Sequence, residues 1–172
     1  AVIGATSVLL APATALAANE CAPVGVDPSA NGGTADSYTC TGSYSGTGIT
    51  YSSDGALSII GTNTHNVGTV GVNLTGNGSD SITWTQISGT ITGTAGAGDS
   101  AFSVYSGTGA VTLNLQGVTG NSTGMDGAVY VNSDSGTVNV TTDGSVSGRV
   151  WGIRVLQGTG NTTINANSSV SI

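Results

Sequence analysis

The sequence predicts an all-β fold, a right-handed parallel β-helix with three faces and about 24 residues per coil, carrying a disulfide-bearing N-terminal cap. Three observations predict it. The composition is rich in residues that suit a pleated surface or a tight turn. Apolar residues alternate with polar ones in short runs. Those runs recur as trios whose members are offset by a constant number of residues.

Only 6% of residues are charged, far below the ~25% of an ordinary domain. There are 29 Gly and 3 Pro among the 172 residues, and Ser, Thr and Asn fill most of what is not aliphatic. Thr, Val and Ile fit strands, whereas Gly and Asn fit corners. The hydrophobic fraction of 37% separates the chain from disordered polar sequences and lets it bury a core. The net charge is −7, with Arg149 and Arg154 the only cations. A chain this poor in positive charge cannot neutralise a run of phosphates, which excludes nucleic acid as a partner and disfavours an anionic membrane surface.

The N-terminal segment reads as an export signal. Ala1 to Ala17 is apolar, too short to span a bilayer as a helix, and ends in Ala15-Leu16-Ala17, the small-x-small pattern of a signal-peptidase site. Cleavage is expected between Ala17 and Ala18. The missing initiating Met and charged n-region predict a sequence truncated at its start. Cys21 and Cys40 follow at a separation of 19. In an oxidising compartment such a pair forms a disulfide, and a metal site is the weaker alternative because His65 is the sole histidine. Residues 18–41, with turn signals at Asp27-Pro28 and Asn31-Gly32-Gly33, read as an irregular cap on the array.

Residues 42–172 read as the coils, clearest toward the end. Ala101 to Val104 is echoed by Ala128 to Val131 and by Gly152 to Val155. A second run follows each: Ala110 to Leu115, Thr137 to Thr142 and Thr162 to Asn167. A third closes each unit around Val118, Val146 and Val170. Val131 and Val155 are 24 apart, as are Val140 and Ile164, and Val146 and Val170. Val104 and Val131 are 27 apart, and the extra residues fall near Asn121-Ser122-Thr123. Earlier, Val67 to Leu74, Ser81 to Ile87 and Thr90 to Thr92 read as one coil, and Ile49 to Tyr51 with Leu57 to Ile60 as part of another, about five coils in all. Ser169 to Ile172 is still an alternating strand, which predicts further coils beyond it. A β-sandwich is the alternative fold, but it requires no fixed period.

Several motifs bear on chemistry. Gly98-Asp99-Ser100 has the look of a serine-nucleophile segment, with His65 and Asp80 as possible partners. Met125-Asp126-Gly127 occupies the same place in the next unit, so Asp there is better read as a turn residue entering a strand. Gly120-Asn121-Ser122-Thr123-Gly124 matches a nucleophile elbow in letters, but a strand rather than a helix follows it. Asp134 and Asp143 are the carboxylates to weigh as a glycosidase pair. Arg154 alternates with Ile153 and Val155, so it is expected to point outward as a solvated charge. No calcium nonapeptide occurs, and no cofactor or metal is expected. The sequons at Asn73, Asn77, Asn121, Asn139, Asn161 and Asn167 read as corner asparagines that tolerate left-handed backbone. Trp84, Trp151 and Tyr130 are candidate platforms for sugar stacking, or equally rungs of structural ladders.

The order of signal, cysteine-bearing cap (Cys21 … Thr39-Cys40-Thr41-Gly42), Gly48-Ile49-Thr50-Tyr51 and Gly/Thr/Val repeats such as Gly136 to Val140 resembles the N-terminal passenger region of type V autotransporters of Gram-negative bacteria. The resemblance implies export, threading through the chain's own C-terminal outer-membrane β-barrel, and display at the cell surface as a β-helical stalk. It implies adhesion or aggregation rather than catalysis, through a repetitive Thr/Asn/Ser face that meets surface glycans or other copies of itself. It carries no catalytic residue onto this chain. The alternative is an enzyme passenger, carbohydrate-active or a serine hydrolase, whose active site lies mostly outside these residues.

Overall fold

A computed structural model describes residues 21–22, 33–94, 100–121 and 127–171. The described residues form sixteen strands and no helix. The strands build a parallel β-solenoid of about five turns. A first strand, β1 (Asp36–Cys40), precedes the turns. The first coil contains β2 (Ile49–Ser53), β3 (Leu57–Gly61) and β4 (His65–Gly68), and the second contains β5 (Val72–Gly76), β6 (Ile82–Gln86) and β7 (Ile91–Gly93). The third contains β8 (Phe102–Ser106), β9 (Val111–Leu115) and β10 (Val118–Gly120). The fourth contains β11 (Val129–Ser133), β12 (Val138–Thr142) and β13 (Val146–Ser147), and the fifth β14 (Ile153–Gln157), β15 (Thr162–Ala166) and β16 (Val170–Ser171).

Each coil contributes one strand to each of three sheets. The first sheet runs β2-β5-β8-β11-β14, the second β1-β3-β6-β9-β12-β15, and the third β4-β7-β10-β13-β16. Every neighbouring pair is parallel, so the backbone hydrogen bonds run from coil to coil. The strand trios expected in the last three coils are the observed ones, and Val104, Val131 and Val155 pair in sequence. The 24-residue repeat holds between the last two coils, as for Val131 and Val155. On the first sheet the first coil has 23 residues, from Tyr51 to Leu74, and the third is longer, with 27 from Val104 to Val131. The extra length lies at the corner between the third and first sheets. From Val118 to Val129 the chain advances 11 residues, against 7 from Val146 to Ile153. Asn121 is exposed at that corner, and 122–126 lies outside the described residues.

The first half corrects one reading. Val67 to Leu74, expected as the opening run of one coil, is divided between two: Val67 belongs to β4 of the first coil and Leu74 to β5 of the second. Between them the chain turns through Gly68 and Gly71, both at positive φ (55° and 81°). The Gly71 amide donates to the Val67 carbonyl at 3.0 Å. Gly68 also sits where a Cβ would overlap the Ser45 carbonyl oxygen, so only glycine fits. The turn interrupts the register between β4 and β7 at Asn66 and Gly68.

The interior is a stack of apolar rows, one residue per coil. Leu57, Ile82, Val111 and Val138 form one row of the second sheet, and Ile59, Trp84, Leu113 and Val140 the next. Ile49, Val72, Phe102 and Val129 form a row of the first sheet. Each fully buried aliphatic side chain contributes ~1.5–3 kcal/mol relative to exposure. The rows are aromatic near β1 and valine-rich later: Tyr38 stacks on Tyr51 at 4.5 Å, and Trp84 meets Phe102 edge-on at 5.1 Å. In the fifth coil the inward positions Ile164 and Val170 are exposed, because no described coil stacks on that side.

Serines turn the corner from the first to the second sheet. The Ser53 hydroxyl donates to the Gly55 carbonyl at 2.7 Å, and the Ser106 hydroxyl to that of Gly109 at 3.1 Å. At some positions the corner leaves no room for a side chain. A Cβ on Gly136 would overlap the carbonyl oxygen of Gly109 in the coil before it.

The expected Cys21–Cys40 disulfide is present, with Cα atoms 4.4 Å apart. Ala22 forms an antiparallel bridge with Thr39. Within the segment expected as cap, Asp36–Cys40 forms β1 and pairs in register with β3, so it is also the first rung of the second sheet. The expected signal segment, with its cleavage site at Ala17 and Ala18, lies outside the described residues.

Candidate functional site

The outward side chains are what the solenoid offers to other molecules, and the three faces differ. On the second sheet they form two rows in unbroken register. One runs Ser37, Ser58, Thr83, Thr112, Asn139 and Thr163. The other runs Thr39, Ile60, Thr85, Asn114, Thr141 and Asn165. Strand spacing of ~4.8 Å and a rise of ~3.3 Å per residue make this a grid of hydroxyls, methyls and amides on a cell of ~4.8 by ~6.6 Å.

The outer side of the first sheet breaks from this pattern. Its rows are Thr50, Asn73, Ser103, Tyr130, Arg154 and Ser52, Thr75, Tyr105, Asn132, Leu156. Tyr105 and Tyr130 meet edge-to-face, with centroids 5.7 Å apart and planes at 64°. The Arg154 guanidinium lies over the Tyr130 ring at 5.7 Å. Arg154 does face outward, but it is half-buried against an aromatic ring rather than free in solvent.

Of the three candidate sugar platforms, the structure keeps one on the surface. Trp84 is completely buried inside the second coil. Tyr130 is only 7% exposed, covered by its two neighbours. Trp151 is 50% exposed, beside Val150 and Arg149 at the corner leading into β14. The residue missed is Tyr105, at 42% exposure. Its outward direction was readable from alternation with Val104, but its exposure depends on which residues flank it in neighbouring coils.

The candidate catalytic residues are not brought together. His65 is in β4, and it points into the core. Ser100 is buried at the corner before β8, where its carbonyl oxygen lies close to Gly71. Asp80 is at the opposite corner, between β5 and β6. No hydrogen bond joins Ser100, His65 or Asp80 to one another among the described residues. Asp99, Ser122, Met125 and Asp126 lie outside the described residues. Asp134 and Asp143 flank opposite ends of β12, at different corners. Asp143 accepts a hydrogen bond from the Asn167 amide at 2.8 Å. Among the described residues no group of three or more His, Cys, Asp or Glu side chains could hold a metal ion. The sequon asparagines do not adopt left-handed backbone: the one described non-glycine residue at positive φ is Asn63, at 69°.

His65 has an electrostatic consequence of its own. Its Nδ1 lies 2.8 Å from the Gly42 carbonyl oxygen. A carbonyl only accepts, so Nδ1 carries the proton. Nε2 is then a bare, buried nitrogen without a partner, near Tyr44 and Trp84. Burial lowers the imidazole pKa below its ordinary 6.5, and the Gly42 hydrogen bond only partly opposes this. The folded state therefore disfavours the proton that the unfolded chain takes up near pH 6.5. Stability is full above that pH and is lost progressively as pH falls below it, until the folded-state pKa is passed. The expected result is a thermal midpoint that is flat from pH 8 to about 7 and declines below about 6.5. In His65→Leu this decline is absent from the window between pH 6.5 and the onset of carboxylate titration. Parallel declines in both proteins would assign the effect to other groups.

No family model, curated protein or solved structure matches this chain.

Proposed function

We propose that this chain is a structural and adhesive stalk segment of an exported, surface-displayed passenger protein, and that it works by presenting the second-sheet grid. The observation that carries the reading is that grid: two outward rows of Thr, Asn and Ser, interrupted only by Ile60, in register with no bulge across six strands. A flat array of short hydroxyls and amides has donors and acceptors at fixed spacing, with little side-chain entropy to lose on contact. That suits repeated weak contacts with surface glycans or with another copy of the array, strengthened by multivalency.

Export is part of the proposal. It is supported by the signal-like Ala1 to Ala17 segment and by a disulfide, which persists in oxidising compartments. Display through the chain's own C-terminal outer-membrane barrel follows from the passenger-like order of features. The physical fit is a chain with few charges whose coils stack one upon the next. Such a chain can cross a pore unfolded and then gain structure coil by coil.

The test is surface display followed by a cell-adhesion and autoaggregation assay, with Thr83, Thr112 and Asn139 replaced by Glu. These side chains point outward, so the fold is expected to survive, as read by β-type circular dichroism. Adhesion is expected to fall by about tenfold or more, through like-charge repulsion and loss of the grid. Unchanged adhesion and aggregation would remove the grid from the function.

A further inference from the structure

We propose that the corner groove beside Tyr105 is a binding subsite for an uncharged pyranose ring. The groove has a volume of about 330 Å³ and is lined by Thr75, Asn77, Tyr105, Asn132 and Asp134, with backbone from Gly78 and Gly107. That lies at the small end of the ~300–1,000 Å³ range of ligand sites. It lies across three coils, because Thr75 pairs with Tyr105 and Tyr105 with Asn132 in the register of the first sheet. Their side chains therefore project to the same side, one strand spacing apart.

The lining has the mixture that a sugar ring requires. Tyr105 supplies an aromatic surface for the apolar C–H face of a pyranose, and it is 42% exposed. Its ring is already oriented by the edge contact with Tyr130, which Arg154 backs in turn. Binding then costs little ordering of the platform. Asp134 stands on a rigid corner: its amide donates to the Ser106 and Gly107 carbonyls at 3.1 Å each, and its carbonyl accepts from the Thr159 amide at 2.9 Å. Its exposed carboxylate only accepts, and adjacent sugar hydroxyls can donate to it. The amides of Asn77 and Asn132 both donate and accept, matching hydroxyls in either sense.

Charge selects within the sugars. Asp134 is the only charged side chain in the lining, and the whole chain carries −7. An acidic saccharide would meet repulsion at the groove and at long range, so the ring accepted is neutral. The proposal rests on the surface-display reading only for the source of the saccharide, a neighbouring cell's glycan or an extracellular polymer. Both present the same ring chemistry.

The experiment uses the purified chain with three probes: methyl β-D-glucopyranoside, N,N′-diacetylchitobiose and digalacturonic acid. Binding is followed by saturation-transfer NMR and titration calorimetry. The expected result is transfer to at least one neutral probe and weaker or no binding of the acidic one. Tyr105→Ala is expected to weaken the neutral probe by about tenfold and Asp134→Asn by about three- to tenfold, while Tyr105→Trp retains binding. The thermal midpoint of each variant checks that the coil is intact. Tighter binding of the acidic probe, equal binding by wild type and Tyr105→Ala, or no binding of either neutral probe would overturn the proposal. The readout is saccharide binding in solution, so a failure here is distinct from failure of the grid in the adhesion assay.

Discussion

Replacing Trp84 with alanine is expected to destabilise the protein by about 3–5 kcal/mol, the range for deleting a large aromatic from a packed core. Trp84 is completely buried in the second coil, where it meets Phe102 of the third coil edge-on at 5.1 Å and His65 of the first at 6.3 Å. Its indole N–H donates to Gln86 Oε1 at 3.1 Å, and the Gln86 amide donates to the Asn63 and Ser88 carbonyls at 2.8 and 2.7 Å. Alanine would open a cavity and also leave a buried amide oxygen without its donor, so two costs fall at one site. Trp84→Phe removes the donor but keeps most of the volume, and should cost clearly less. Chemical denaturation gives the magnitude. Hydrogen exchange gives the location: a coil interacts mainly with its neighbours, so protection should fall in the first and second coils and persist around β11 and β12. A loss below about 1 kcal/mol would mean that the second coil collapses around the gap.

How much of this was legible in the sequence depended on side-chain size and corner length. The last three coils were readable because one corner repeats unchanged, nine residues from Phe102 to Val111, from Val129 to Val138 and from Ile153 to Thr162, and because valine recurs at the same inward place, so Val104, Val131 and Val155 announce themselves by spacing alone. The first coil was not, because Val67 to Leu74 is a run of Gly, Val, Thr, Asn and Leu in which only a change of apolar parity, Val67 against Val70, Val72 and Leu74, marks two strands. The turn inside it depends on Gly68 and Gly71 at positive φ, and glycine is too frequent in this chain to mark it. Trp84 could have been placed inside. It alternates with Thr83 and Thr85 and shares its parity with Ile82, and assigning it to a surface platform set chemical appeal above period. Tyr105 and Tyr130 are different. Both point outward by alternation, yet one is exposed and the other covered. The difference comes from residues one coil away, Arg154 and Thr75, whose adjacency follows only once register is known. The groove was hidden for the same reason: Asn77, Tyr105 and Asp134 belong to three successive coils and read in sequence as a sequon, a strand residue and a turn acid.

Removing the disulfide, by reduction or by the double substitution Cys21→Ala and Cys40→Ala, is expected to cost about 3 kcal/mol on chain-entropy grounds for a loop of this size. The separation of 19 residues sets that magnitude. What the bond holds is the start of the stack. Cys40 ends β1, which pairs with β3, and its carbonyl accepts from the Thr62 amide at 2.9 Å. Cys21 is buried, its amide donates to the Tyr51 hydroxyl at 3.0 Å, and the adjoining Ala22 bridges Thr39 in both directions at 2.9 and 2.7 Å. Without the bond, residue 21 is joined to β1 only through the intervening chain, and these few hydrogen bonds must hold it against the full freedom of that loop. Tyr38 and Tyr51, stacked at 4.5 Å beneath it, would then be exposed. The loss should therefore begin at the end of the solenoid, unlike the interior break expected of Trp84→Ala. Exchange at Thr39 and Thr62 should accelerate under reduction, while β9 and β12 keep their protection and the thermal midpoint falls. The reduced and oxidised proteins exchanging alike at Thr39 would show that β1 is held by its pairing with β3 alone. Acceleration throughout all five coils would instead make the disulfide-bound end the nucleus on which the remaining coils depend.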